Sequence, residues 1–153
     1  MKIFSLHAKQ RLPISKQQAW DFLSDPANLK IITPDYMGFH IQSGADRSMY
    51  AGQIIEYIVT PVFNIKTKWV TEITYVKDTS YFVDEQRFGP YSLWHHKHFI
   101  NEIEGGVEME DMIHYKLPFG IIGQWLHPVL VKPKLDEIFN YRKEKLEMLF
   151  GKL

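Results

Sequence analysis

The stretch FVDEQRFGPYSLWHHKHF, from Phe82 to Phe99, holds three of the chain's seven histidines, two acids and a glutamine among aromatic residues. Residue types of this kind support several chemistries. An Asp–His pair works as a general base, because the carboxylate fixes the imidazole tautomer and raises its basicity. His96-x-His98 on one strand offers two metal ligands, with Asp84 or Asp111 as a third. The same polar groups also suit an aromatic pocket in which they orient a mostly apolar ligand. A fourth reading is structural: buried polar groups are usually hydrogen-bonded, and such networks position a core. The choice depends on which of these side chains share a face.

Side chains alternate along a strand, so pairing decides who meets whom. Gly105-Gly106 between two alternating runs is a tight-hairpin signal. With those two glycines as the turn, Ile100 opposes Asp111, His98 opposes Ile113, His96 opposes Tyr115 and Trp94 opposes Leu117. Across GPYS, Gln86 opposes His96, Asp84 opposes His98 and Phe88 opposes Trp94. One face then carries Trp69, Ile73, Tyr75, Phe82, Phe88, Trp94, Ile100, Val107, Met109, Ile113, Tyr115 and Leu117. The opposite face carries Glu72, Glu85, Arg87, Lys97, Glu108, Glu110 and Lys116, and His95 points out with Lys97. The apolar face is the inner one. Asp84, Gln86, His96, His98 and Asp111 also belong to it, and burying them unpaired would cost a few kcal/mol each. Asp84–His98 and Gln86–His96 are the natural cross-strand pairs. No G-x-S-x-G occurs, and Ser92 sits in a turn without an oxyanion hole, so a serine nucleophile has no support.

The elements that must carry these residues follow from periodicity. Phe4, Leu6, Ala8 and Leu12 alternate with polar residues in a first strand. Ser15 caps a helix whose stripe is Ala19, Trp20, Phe22 and Leu23, and Asp25-Pro26 stops it. A further helical turn falls around Ala27 to Lys30. Six strands follow, Phe39–Ser43, Gln53–Thr60, Ile65–Val76, Tyr81–Phe88, Leu93–Glu104 and Val107–Leu117, separated by GADRSMYAG, PVFN, KDTS, GPYS and the Gly-Gly pair. After Pro118 the period turns helical, with Pro128 and Pro133 set to kink or divide the helix. A seven-stranded antiparallel sheet, curved around one long C-terminal helix, satisfies this order. The fold class is α+β, with residues 1–153 forming one domain. Trp125 falls where the last helix begins, beside the opening of any cavity. Arg142 is placed to bridge helix and sheet and has no assigned chemistry.

Composition narrows the function classes. Eighteen basic residues balance 18 acidic ones, which argues against a partner that is tracked by its phosphates. The chain has no cysteine, so disulfides, thiolate metal sites and a cysteine nucleophile are excluded. The first residues, MKIFSLHAKQRL, lack the apolar run of a signal peptide, and no stretch reaches the ~18 apolar residues of a membrane span. The expectation is a cytoplasmic protein without integral membrane association; the sequence is silent on oligomeric state. Ten Phe, eight Tyr and four Trp supply flat walls for a core or a cavity.

Three segments carry a resemblance: PISKQQAWDFLSDPANLKIITP, FVDEQRFGPYSLWHHKHF, and EMEDMIHYKLPFGIIG followed by IFNYRKEKL. With them the chain resembles the SRPBCC superfamily, also called START-like or Bet v 1-like, across its whole length. More narrowly it looks like the bacterial ligand-binding SRPBCC domain proteins, whose motif maps onto Asp84, Gln86, Gly89, Pro90, Trp94, His96, His98, Asp111 and Tyr115. The resemblance implies the helix-grip fold, with a deep cavity between sheet and C-terminal helix. Superfamily cavities hold lipids, sterols, polyketides, plant hormones or aromatic substrates; some members are cyclases or dehydratases and others carry lipids or assist chaperones. The fold alone therefore does not decide the function.

The expected role is binding of a small hydrophobic molecule, with no cofactor or metal. The expected lining is Trp69, Phe82, Asp84, Gln86, Phe88, Trp94, His96, His98, Asp111, Tyr115 and Trp125. The alternatives are a cyclase, dehydratase or hydrolase using His98 with Asp84 or Asp111, and an interaction module whose core is filled.

Overall fold

Strand β7 (Gly106–Lys116) buries every second residue, among them Val107, Met109, Asp111, Ile113 and Tyr115. This period of two is the mark of a sheet with one covered face. In the computed structural model, which describes residues 2–60 and 65–153, the sheet has seven antiparallel strands. They are β1 (Phe4–Leu12), β2 (His40–Ser43), β3 (Gln53–Val59), β4 (Thr67–Lys77), β5 (Tyr81–Phe88), β6 (Leu93–Ile103) and β7, in the order β1-β7-β6-β5-β4-β3-β2. The PVFN connection at 61–64 lies outside the described residues.

Between β1 and β2 the chain forms helix α1 (Lys16–Leu23) and two short 3-10 turns, Pro26–Lys30 and Asp35–Met37. Ser15 and Gln18 close a reciprocal capping box at the start of α1: the Ser15 hydroxyl accepts from the Gln18 N–H and the Gln18 amide oxygen accepts from the Ser15 N–H. Asp25 accepts from the Ala27 N–H and opens the next turn. At the other end, α2 (Gly120–Leu126) runs into a π-type turn, His127–Val131, and then α3 (Lys132–Phe150). Pro128 has no N–H to give the preceding turn, so the helical ladder widens there. Pro133 sits in the first turn of α3, where its missing N–H costs nothing.

Two hairpin registers differ from the expected ones. His98 opposes Asp111, His96 opposes Ile113 and Trp94 opposes Tyr115, because the hairpin turns at Glu104-Gly105 instead of Gly105-Gly106. Gly105 takes the positive φ of the turn. Gly106 is already in the strand, and a Cβ there would meet the Leu12 carbonyl oxygen at 2.0 Å. The second glycine thus serves the close approach of the chain leaving β1. Between β5 and β6, Asp84 opposes His96 and Phe82 opposes His98. Both shifts are of two residues, so no side chain changes face.

Bulges do change faces. The β4–β5 register slips between Ile73 and Tyr75 and again between Val70 and Thr71. The first turns Tyr75 outward, 46% exposed and stacked on Tyr81. The second leaves Arg87 unpaired and turns Phe88 outward, 62% exposed.

The core comes in three clusters. One joins Leu12, Trp20, Phe82, Ile100 and Leu146 under α1. Another joins Trp94, Ile113, Tyr115 and Leu135. The third, Ile55, Tyr57, Val59 and Ile73, lines the β3–β4 wing. The space between the wing and α3 is not closed by side chains.

Candidate functional site

That space is a cavity of about 250 Å³. Its walls come from every layer: Phe22, Leu29 and Met37 from the segment after β1, Ile55, Tyr57 and Trp69 from the wing, Trp94 from β6, and Leu135, Ile138 and Phe139 from α3. The core is therefore not filled, contrary to what an interaction module with a packed interior would require. Polar lining is sparse. Asp25, Asn28, Thr33, Thr71 and Lys134 contribute, and the remainder is a cluster formed by Asp84, His96, His98 and Arg142.

The cluster is built by register. Asp84 on β5, His96 and His98 on β6 and Asp111 on β7 all point inward from adjacent strands. Arg142 meets them from α3, where it occupies one step of the buried stripe that includes Leu135 and Leu146. His98 Nε2–H donates to Asp84 Oδ2 at 2.7 Å, and His96 Nε2–H donates to Asp111 Oδ1 at 2.9 Å. Asp84 and His98 thus pair as expected, although diagonally and not directly opposite. Arg142 Nη1 lies 3.2 Å from Asp111 Oδ1. His96 Nδ1 lies 3.6 Å from Asp84 Oδ2. His98 Nδ1 lies 2.9 Å from Asp111 Oδ1, but the angle is too poor for a hydrogen bond, and it is a buried nitrogen without a bonded partner. The two imidazoles sit ring against ring, 3.6 Å between centroids, and Phe82 stacks on the other side of His98 at 4.2 Å.

The electrostatics divide the four groups. Burial, reinforced by the neighbouring His98, pushes the His96 pKa down and keeps that ring neutral. Burial opposes charge on His98 too, yet the carboxylates of Asp111 and Asp84 outweigh it and the pKa moves up. Burial would raise both aspartates. For Asp84 the hydrogen bond from His98 wins, and for Asp111 the Arg142 charge and both histidines hold the carboxyl well below the usual range. With His98 protonated, two negative charges face two positive ones, which is how four ionisable groups tolerate one buried site.

The expected lining is partly displaced. Trp69, Phe82, Asp84, Trp94, His96 and His98 line the cavity. Asp111 stands behind the histidines, buried and outside the wall. Gln86 does not reach His96; its amide donates to the Tyr91 carbonyl at 2.6 Å and accepts from the Tyr91 N–H at 3.2 Å. It holds the loop that sets Tyr91 in the wall. Phe88 faces solvent because of the bulge. Tyr115 is buried, but its hydroxyl bonds His127 Nε2 at 2.6 Å, away from the cavity. Trp125 is 79% exposed on α2, in the turn before the π-type segment. Among the wall residues not foreseen are Tyr57, Thr71, Tyr91, Phe139 and Arg142. For Arg142 the signal was present: an arginine at the helical spacing of an apolar stripe, seven residues after Leu135.

No protein-family model and no curated protein matches the sequence. Solved structures do match in shape. Protein CV1439 from Chromobacterium violaceum superposes with a TM-score of 0.74 at 9% identity, over 96% of this chain and 97% of its own. Ara h 8.0201, of the Bet v 1 family, gives 0.63 at 12% identity over 96% and 99%. The fold is SRPBCC/Bet v 1-like. A norcoclaurine synthase from Thalictrum flavum, a point mutant bound to a transition-state analogue, gives 0.67 at 10% identity over 97% and 96%. At these identities the agreement concerns the helix-grip fold. Among the described residues no helix is long and apolar enough to cross a membrane.

Proposed function

We propose that the protein binds a small, mostly apolar molecule in the cavity between the sheet and α3, with its polar end against the Asp84–His98 side of the cluster. The observation that carries this is the cavity itself. Protein interiors are packed to crystal density. At the cost found for empty apolar cavities, a void of about 250 Å³ forfeits on the order of 6 kcal/mol. A fold that keeps such a space, walled by aromatics and touched by a few convergent polar groups, has the form of a small-molecule site. The norcoclaurine synthase structure, which holds a transition-state analogue, supports the reading that this architecture accommodates a ligand.

The test is native mass spectrometry of gently purified protein, with the released material identified, followed by thermal denaturation against a panel of fatty acids, sterols and aromatic acids. A ligand that binds only the folded state raises the melting temperature, and the rise grows with the logarithm of ligand concentration above Kd. No co-purifying molecule and no stabilisation across the panel would sink the proposal. A second reading, acid–base catalysis on the bound molecule, is supported by one observation: Asp84 and His98 are hydrogen-bonded to each other and both line the cavity. It requires turnover that disappears in His98→Gln while the fold and ligand affinity persist.

A further inference from the structure

Asp84, His96 and His98 each place one donor atom such that all three lie within 4.8 Å of one another. The atoms are identifiable from the contacts. Asp84 Oδ2 is 2.7 Å from His98 Nε2 and 3.6 Å from His96 Nδ1. Two ligands on a tetrahedral zinc-class ion, each ~2.0–2.1 Å from it, stand about 3.3 Å apart. The His96–Asp84 spacing already fits. The His98–Asp84 spacing is the shorter, the length of a direct hydrogen bond between the two groups.

The remaining ring nitrogens are the second observation. His96 Nε2 donates to Asp111 Oδ1, and His98 Nδ1 lies 2.9 Å from that same oxygen without a satisfied bond. One carboxylate thus stands behind both imidazoles on the side away from the cavity. Histidines that bind a metal hand their other N–H to such an acceptor, which fixes tautomer and ring angle. A small rotation of His98 toward the ion would align its Nδ1–H on Asp111 and satisfy the buried nitrogen.

We infer that Asp84, His96 and His98 form a three-ligand site for a divalent transition ion of the zinc–cobalt class, with Asp111 orienting both histidines and the fourth coordination position open to the apolar cavity. Two imidazoles and one carboxylate select such an ion over magnesium or calcium, which take oxygen ligands throughout. The charges balance. With the ion bound, two carboxylates, Arg142 and the 2+ charge sum to +1. An anionic fourth ligand, hydroxide or the ionised head of an apolar molecule, neutralises it. The inference goes beyond apolar-ligand binding and stands independently of it.

The test uses the full chain, stripped with EDTA and dialysed, then titrated with Zn2+ by calorimetry and Co2+ by visible absorption. Expected are one ion per chain, the intense d–d bands of a four- or five-coordinate Co2+, and shifts of the His96 and His98 ring resonances in NMR. Asp84→Asn and His98→Gln should weaken binding at least ~10-fold, the smaller end of what loss of an orienting partner costs. His95→Gln, on the outward face of the same strand, should leave it unchanged. Absence of stoichiometric binding by the wild-type protein would overturn the site. So would binding that survives both cluster variants or disappears with His95→Gln. Where a cluster variant does not fold, the wild-type ring resonances decide: Zn2+ that leaves His96 and His98 unshifted refutes the assignment. Failure of the metal titration with a positive ligand panel removes this site and keeps the apolar-ligand reading, and the reverse outcome does the opposite.

Discussion

Replacing Arg142 by methionine keeps most of the stem and deletes the charge that α3 contributes to the cluster. Arg142 Nη1 and Asp111 Oδ1 are 3.2 Å apart and both side chains are about nine-tenths buried. At an effective dielectric constant near 20, opposite charges at that distance attract by about 5 kcal/mol. Part of this is already offset by desolvation, so the relevant quantity is the cost of leaving Asp111 with one partner fewer. Breaking a buried pair from one side typically costs 3–5 kcal/mol. Asp111 keeps its contacts with His96 and His98, which places the expected loss near the lower end, about 3 kcal/mol. Urea denaturation followed by circular dichroism measures it as a lower midpoint at unchanged slope. The double variant Arg142→Met/Asp111→Asn removes both charges and should recover more than half of the loss, since the penalty is an uncompensated carboxylate. A loss below about 1 kcal/mol in Arg142→Met, or a double variant worse than the sum of the singles, would refute this account of the cluster.

Four further outcomes are expected. Ile138→Trp, which fills cavity space from α3, should hold or raise stability while abolishing ligand-induced stabilisation; unchanged ligand response would show that the cavity is not the binding site. Gln86→Leu removes both bonds to Tyr91, and at about 1 kcal/mol per bond should cost roughly 2 kcal/mol, with faster amide exchange at Tyr91; Phe88→Ala, on the exposed side of the bulge, should fall within about 0.5 kcal/mol of wild type. Burial, with the charges of Lys2 and Lys132, lowers the His127 pKa from the ordinary 6.5. A histidine depressed in the fold binds its proton more readily when unfolded, so its contribution is present above pH 6.5 and is lost as pH falls through the lower folded value. An NMR titration of the His127 ring with a midpoint above 6.5 would contradict this.

Much of the architecture was legible because it follows from local rules. Ser15 and Gln18 announce a capping box, Asp25-Pro26 a stop, and the alternation from Leu93 onward a half-buried strand. The inward set Asp84, His96, His98 and Asp111 was also legible, since parity survives any register shift of two. What escaped were effects of long-range contact. Gly106 is required by a carbonyl of Leu12, nearly a hundred residues earlier, and that moved the turn by one position. The bulges at Thr74 and Arg87 turned Tyr75 and Phe88 out of the wall. Trp125, at the start of the last helical region, lies in solvent.

By itself, then, the sequence determined the type and order of elements and the inward face of Asp84, His96, His98 and Asp111, because backbone period and capping act over a few residues. Only the tertiary structure decided that four strand residues and Arg142 converge on one point, that Gln86 braces a loop and leaves His96 alone, and that a cavity stays open beside them. Those outcomes depend on register, bulges and the seating of α3, which are set by contacts between residues far apart in the chain.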